Sequence, residues 1–372
     1  MKSLFDLFNE ILVKICEKEK LNYESISDFI TDDKKAATFI NSLSYDNANI
    51  ILSGINTDVS QARARHSVIT LFLGYIFFEF AGIRDIIFKT YNSIFENDNN
   101  NDICYKLWRD ISINHDYGYF SSHLKNFSSR DSLGLKYDLL TSKEIVESKF
   151  YKSTLKLDLL DLLNYFNYSI EYHKKEKYEK VDHGILGACL IYSRELYEIF
   201  KENSKNKIIK ESQEKEKLIK SIYLYYQIVC LTIAQHNVFK SKNEESDKIY
   251  KKFNLNRLLS NSDYSVNLST PLLGLLSLVD TIECVKKFSR SVSSESYLET
   301  ITVLKNIDLE VTTSMITIDA SKLYNIIRKK NTDSLKNTFE TWISNITGIG
   351  KWTGFICEDN TLEEKFYITL AK

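Results

Sequence analysis

Ile113-Asn114-His115-Asp116-Tyr117-Gly118-Tyr119 sets a histidine directly before an aspartate, with a glycine two residues later. Histidine and carboxylate are the usual ligands of hydrolytic transition metals. Adjacent side chains on a helix are rotated by about 100°, so His115 and Asp116 converge on one ion only near a helix end or from a deep groove. Gly118 permits such a close approach, or a helix break. The reading of this stretch turns on what surrounds it.

The surroundings read as helix. Leu155, Leu159, Leu162, Leu163 and Phe166 recur at helical spacing, as do the apolar residues of 185–200. A single proline, Pro271, and 11 glycines in 372 residues make turn-rich all-β folds and glycine-rich dinucleotide folds poor fits. Length suggests two domains. A hydrophobic share of 43% supports a large core. The 49 basic and 50 acidic residues leave a net charge of −1, which excludes a globally basic nucleic-acid coater. Residues 1–20 read as an amphipathic helix whose Asp6, Glu10 and Lys14 interrupt any signal-peptide core. The most apolar run, Val68 to Ile83, contains Glu79 and is too short for a membrane span, so it reads as a buried core helix. Residues 97–102 read as a low-complexity loop and 201–220 as a charged helix extension or solvated loop. The six cysteines, Cys16, Cys104, Cys189, Cys230, Cys284 and Cys357, show no metal-binding spacing. They read as reduced core residues, which places the chain in the cytoplasm.

After about residue 300 the character changes. Residues 306–319 partly alternate and are rich in β-branched side chains; 321–346 reads as helix. Trp352 to Glu358 and Lys365 to Leu370 read as a terminal hairpin around Asp359-Asn360-Thr361. Gly348-Ile349-Gly350-Lys351 fails the phosphate-loop pattern, since one residue separates the glycines and Trp352 follows the lysine. It reads as a turn before a strand. The expectation is a mainly α chain: a helical domain over 1–300, with 1–55 as N-terminal decoration, and a small α+β appendage over 301–372. The appendage hairpin offers an edge for a partner protein or a second copy, or simply caps the helical domain.

The remaining histidines matter by their order. His66 opens the apolar helix; His183 begins Asp182-His183-Gly184-Ile185-Leu186-Gly187-Ala188; His236 follows the apolar run 228–234; Asp280 interrupts Leu275-Leu276-Ser277-Leu278-Val279-Asp280-Thr281-Ile282. An acid among leucines is costly unless it is paired or holds a metal. Each residue alone reads more readily as a satisfied core group. Taken as His, His-Asp, His, His, Asp on successive helices over about 60–290, the order resembles the HD superfamily of metal-dependent phosphohydrolases. His183-Gly184-Ile185-Leu186-Gly187-Ala188 and Ile233-Ala234-Gln235-His236-Asn237 look most like the HD nuclease domains associated with CRISPR interference helicases, with the helicase absent from this chain.

The resemblance implies an HD-type helical domain and one or two divalent ions. Mn²⁺ comes first, with Mg²⁺, Fe²⁺, Ni²⁺, Co²⁺ or Zn²⁺ as alternatives. His66, His115, Asp116 and Asp280 would hold the first ion; His183 and His236 would hold a second, with Asp116 bridging. Four imidazoles and two carboxylates around two such ions leave a charge of about +2, suited to a phosphate. The implied activity is hydrolysis of a phosphoester in a nucleic acid or nucleotide by metal-activated water, with a phosphodiesterase or nuclease favoured and a small-nucleotide phosphohydrolase the alternative. Many family members carry a lysine three residues after the aspartate; here that position is Tyr119, and Lys125 is the candidate replacement in catalysis. Asn237 stands where a second histidine is frequent. His123 is a candidate substrate contact and His173 reads as surface. Arg65 with Arg63, and Lys174, Lys175, Lys177 and Lys180, are candidates for a positive rim, diluted by Glu176 and Glu179. Tyr223, Tyr225 and Tyr226 read as core before they read as a base-stacking surface. Two other classes remain open: a non-catalytic HD module that binds a nucleotide or protein, and a helical interaction protein with scattered histidines.

Overall fold

Ser3 starts the first helix as an N-cap should, its hydroxyl accepting the Asp6 N–H at 3.1 Å. In the computed structural model, helix α1 (Leu4–Glu19) then buries Leu4, Phe8, Ile11, Leu12 and Ile15 on one face, the stripe expected for residues 1–20. The structure describes residues 1–43, 63–78, 81–92, 101–118, 183–184, 187–188, 191, 225–226, 228–230, 232–233, 236, 248, 251–252, 271–289, 297–313, 315–353, 356–360 and 367–371. The described residues are mainly helical, with one small antiparallel sheet. The chain falls into two units, Met1–Phe88 with Gly274–Lys372, and Lys89–Leu273.

In the first unit, α2 (Ser27–Ile30) and α3 (Asp33–Ser42) follow α1. Then comes α4 (Ala64–Phe77), buried on nearly every side. A helix apolar all round belongs in a core rather than at a surface, and α4 packs against α1, α3 and the later helix at Val285–Phe288. Phe29 and Phe39 stack at 4.0 Å between centroids, and Phe72 of α4 lies 6.0 Å from Phe39 and 5.4 Å from Phe8. No described helix is long and apolar enough to cross a membrane. The unit boundaries fall inside α5 (Ala81–Asn92) and α7 (Pro271–Ile282). Between them, α6 (Asn101–Asn114) belongs to the second unit. It turns the end of the expected 97–102 loop into helix; residues 97–100 lie outside the described residues.

The first unit resumes with α7, α8 (Val285–Phe288) and α9 (Thr300–Lys305). The sheet is built from β1 (Lys2–Ser3), β2 (Asp308–Val311), β3 (Met315–Asp319), β4 (Ile356–Asn360) and β5 (Tyr367–Ala371), in the order β1-β2-β3-β5-β4, all antiparallel. The expected strands at 306–319 and the terminal hairpin are present. The edge strand from the opposite end of the chain was not expected: Lys2 pairs with Leu309. The single helix expected over 321–346 is two, α10 (Ser321–Lys330) and α11 (Asp333–Thr353). Asn331 breaks them with a left-handed φ of 51°, a conformation asparagine tolerates.

One expectation is overturned. Gly348, Gly350 and Lys351 are not a turn before a strand; they continue α11. That helix buries Leu335, Phe339, Trp342 and Ile346 at helical spacing. That burial outweighs the cost of about 1 kcal/mol per helical glycine. Trp342 also donates its indole N–H to the Ile282 carbonyl at 3.2 Å.

Arg65 is a second correction. It does not stand at a positive rim; it is 7% exposed. Its Nε donates to Asp33 Oδ1 at 2.9 Å, its backbone N–H to the same oxygen at 3.3 Å, and its Nη1 to Thr300 Oγ1 at 2.8 Å. Removing the carboxylate would leave a buried guanidinium uncompensated. Asp33→Ala is expected to destabilise the chain by about 3 kcal/mol, read as a lowered urea midpoint by circular dichroism.

Candidate metal centre

Helix α6 ends at Asn114, so His115 and Asp116 sit in the turn that follows it. This meets the geometric condition for adjacent side chains to converge. The helix itself is anchored by Cys104, Leu107, Trp108 and Ile111, all fully buried. Asp110 adds a polar tie, with Arg109 Nε at 2.8 Å and the Tyr225 hydroxyl donating to its other oxygen at 2.7 Å. Burial pushes the Tyr225 hydroxyl well above the usual tyrosine pKa, and the Asp110 charge adds to the effect. The phenol therefore stays protonated and donating.

Two glycines let the backbone close around the turn. A Cβ on Gly118 would lie 1.8 Å from the His183 carbonyl oxygen. One on Gly184 would lie 2.6 Å from the Ile233 carbonyl oxygen and 2.9 Å from His236 Nδ1. No real Cβ tolerates such contacts, and the obstacles are largely backbone. This approach brings four of the expected ligands into one group in the second unit. His183 Nε2 is 3.2 Å from Asp116 Oδ1 and 3.1 Å from His236 Nε2. His115 Nε2 is 3.8 Å from Asp116 Oδ1, and the His115 and His236 rings meet edge to face at 5.4 Å. His115 and Asp116 are almost wholly buried, at 0% and 3% exposure.

The outer bonds fix which nitrogen faces inward. His115 Nδ1 lies 2.8 Å from the Ser112 carbonyl and His236 Nδ1 lies 2.6 Å from the Ile233 carbonyl. A carbonyl only accepts, so each Nδ1 carries the proton and donates, and each Nε2 offers a lone pair. A buried carboxylate and imidazole nitrogens at about 3 Å need a proton or a cation among them. Two ligands on a common ion, each about 2.0–2.2 Å from it, stand roughly 3.0–3.5 Å apart. The Asp116–His183 and His183–His236 pairs meet that requirement, and all three ligand atoms lie within 4.8 Å of one another. The residues present fit a divalent ion.

The other two expected ligands pair in the first unit. His66 on α4 sets its Nε2 3.1 Å from Asp280 Oδ1 of α7. Its Nδ1 is 3.2 Å from Glu283 Oε2. Burial and the Lys286 charge push the His66 pKa down, but the bonds to Asp280 and Glu283 outweigh them and hold it above the usual value. His66 and Asp280 belong to the first unit, and His115 and Asp116 to the second. Tyr119, His123, Lys125, His173, Lys174, Lys175, Lys177, Lys180, Tyr223 and Asn237 lie outside the described residues.

Sequence reasoning missed Glu283 and Lys286. Glu283 is fully buried, its Oε1 accepting the Val285 N–H at 2.7 Å. Lys286 Nζ lies 2.5 Å from Asp280 Oδ1 and 3.3 Å from His66 Nε2. The available signal was the three-residue spacing Asp280, Glu283, Lys286. No family model, curated protein or solved structure matches the chain.

Gly118→Ala must push the His183 backbone away. It is expected to cost about 2 kcal/mol in stability and to lower Mn²⁺ affinity at least about tenfold. Chemical denaturation and calorimetric titration check the two effects.

Proposed function

We propose that the chain is a metal-dependent phosphoester hydrolase of the HD type, with phosphodiester bonds in a nucleic acid or nucleotide as its favoured substrate. The observation that carries this reading is the convergence of the Asp116 carboxylate with the inward-facing imidazoles of His183 and His236. The order of histidines and aspartates along the sequence supports it independently. The His66–Asp280 pair is read as a second ligand group.

A divalent ion, when bound, supplies Lewis acidity and lowers the pKa of water towards neutrality. The protein's own groups do the rest. Asp116 contributes the negative charge that makes the site selective for a cation over a neutral guest. The Ser112 and Ile233 carbonyls hold His115 and His236 in the tautomer whose Nε2 is a ligand, so no reorientation is needed on loading. Burial of His115 and Asp116 limits water and strengthens each electrostatic contact. Mixed imidazole and carboxylate donors without cysteine favour Mn²⁺, Fe²⁺, Co²⁺, Ni²⁺ or Zn²⁺ over Mg²⁺. The reading puts a phosphate-containing partner in the cytoplasm and requires no membrane.

Mn²⁺-dependent hydrolysis of bis-p-nitrophenyl phosphate tests it. Wild type is expected to turn over, and Asp116→Ala to lose about 1,000-fold, roughly 4 kcal/mol of transition-state stabilisation, with its circular dichroism spectrum unchanged. Chelation is expected to abolish the wild-type rate and added Mn²⁺ to restore it. A variant that keeps the full rate would overturn the assignment of Asp116.

A further inference from the structure

Asp280, Glu283 and Lys286 are spaced by threes, and the break between α7 and α8 turns all three side chains onto His66. The three play different parts. Glu283 is immobilised, since its carboxylate also accepts the backbone N–H groups of Val285 at 2.7 Å and Lys286 at 3.2 Å. Its Oε2 lies 3.2 Å from His66 Nδ1, which leaves Nε2 as the atom that faces Asp280. Asp280 Oδ1 meets that Nε2 at 3.1 Å. Lys286 Nζ contacts the same two atoms, at 2.5 Å from the oxygen and 3.3 Å from the nitrogen. An ammonium therefore occupies the position between two groups that the hydrolase reading gives to a metal.

A divalent ion and an ammonium cannot share Asp280 Oδ1 at close range; like charges repel. Lys286 is the group able to leave. Its side chain is 32% exposed and rides on a flexible four-carbon stem. The neighbouring cation is differently held: Lys287 is half-buried, reaches the Thr281 carbonyl at 3.4 Å, and has its pKa lowered by burial first and then by Lys286. Once displaced, Lys286 stays tethered beside the ligand pair and offers three N–H donors. A phosphoryl oxygen is the acceptor chemistry such a group takes.

We propose that Lys286 is the phosphate-contacting residue of the centre, held on Asp280 until a metal takes its place. The proposal rests on the hydrolase reading.

The test uses calorimetry on the full chain, first titrating metal-free protein with Mn²⁺ and then Mn²⁺-loaded protein with inorganic phosphate. Lys286→Met is expected to bind phosphate at least about tenfold more weakly while binding Mn²⁺ as tightly as wild type or more tightly. Lys286→Arg, which keeps the charge, is expected to hold phosphate within about threefold of wild type. Phosphate affinity in Lys286→Met within twofold of wild type would overturn the proposal. So would a parallel loss of Mn²⁺ affinity, the mark of a merely structural lysine, or a wild type that binds Mn²⁺ and no phosphate. In these cases the metal reading stands and the lysine assignment alone falls. A wild type that binds no Mn²⁺ removes both. Lys286→Gln is read by the same criteria if Lys286→Met does not fold.

Discussion

A carboxylate withdrawn from water must find its counterpart inside the protein, and four among the described residues meet that demand in different ways. Asp33 takes a guanidinium, from Arg65. Asp280 takes an ammonium and an imidazole. Glu283, with no exposed surface, takes backbone N–H groups and the other edge of the same imidazole. Asp116 takes imidazoles, with His183 at 3.2 Å and His115 at 3.8 Å. The first is a structural tie, and its strength comes from a fork of donors that reaches Thr300 as well. The last is different in kind, because its partners are imidazoles rather than a guanidinium or an ammonium. On the proposed reading this group takes a divalent ion, whereas Asp33 is already matched by Arg65.

The same contrast explains how positioning is achieved. Arg65 directly precedes His66, and its backbone and side chain are both clamped to Asp33. The histidine is therefore presented by a helix start whose place is set by a buried ion pair. His115 and Asp116 depend instead on the end of α6, held by Trp108 and its buried neighbours and by Asp110 with Tyr225. Each candidate ligand group is thus supported by a packed core.

Much of the candidate site was legible before the fold was seen. The His-Asp adjacency asked for a helix end or a deep groove, and Gly118 for a close approach or a helix break; the structure has the helix end and the close approach. The companions of Asp280 were not legible. Glu283 and Lys286 look like ordinary members of a charged helix terminus, and only the break between α7 and α8 turns them onto His66. Arg65 misled for the opposite reason. An arginine beside a histidine reads as part of a basic rim, and nothing nearby announces that Asp33, 32 residues away, buries it.

Among the described residues, the sequence by itself determined the mainly helical character, the strands of 308–319, the terminal hairpin and the identity of the metal-ligand candidates. These depend on side chains a few residues apart, and local periodicity records them directly. Tertiary structure alone decided that residues 2–3 form the edge of the C-terminal sheet, and that Arg65 is buried. It alone decided that Gly348 and Gly350 lie within a helix and that Lys286 sits on Asp280. Each of those outcomes depends on which surfaces meet, through strand pairing, a buried charge or a packed helix face. Such pairings join residues whose separation along the chain carries no period of its own.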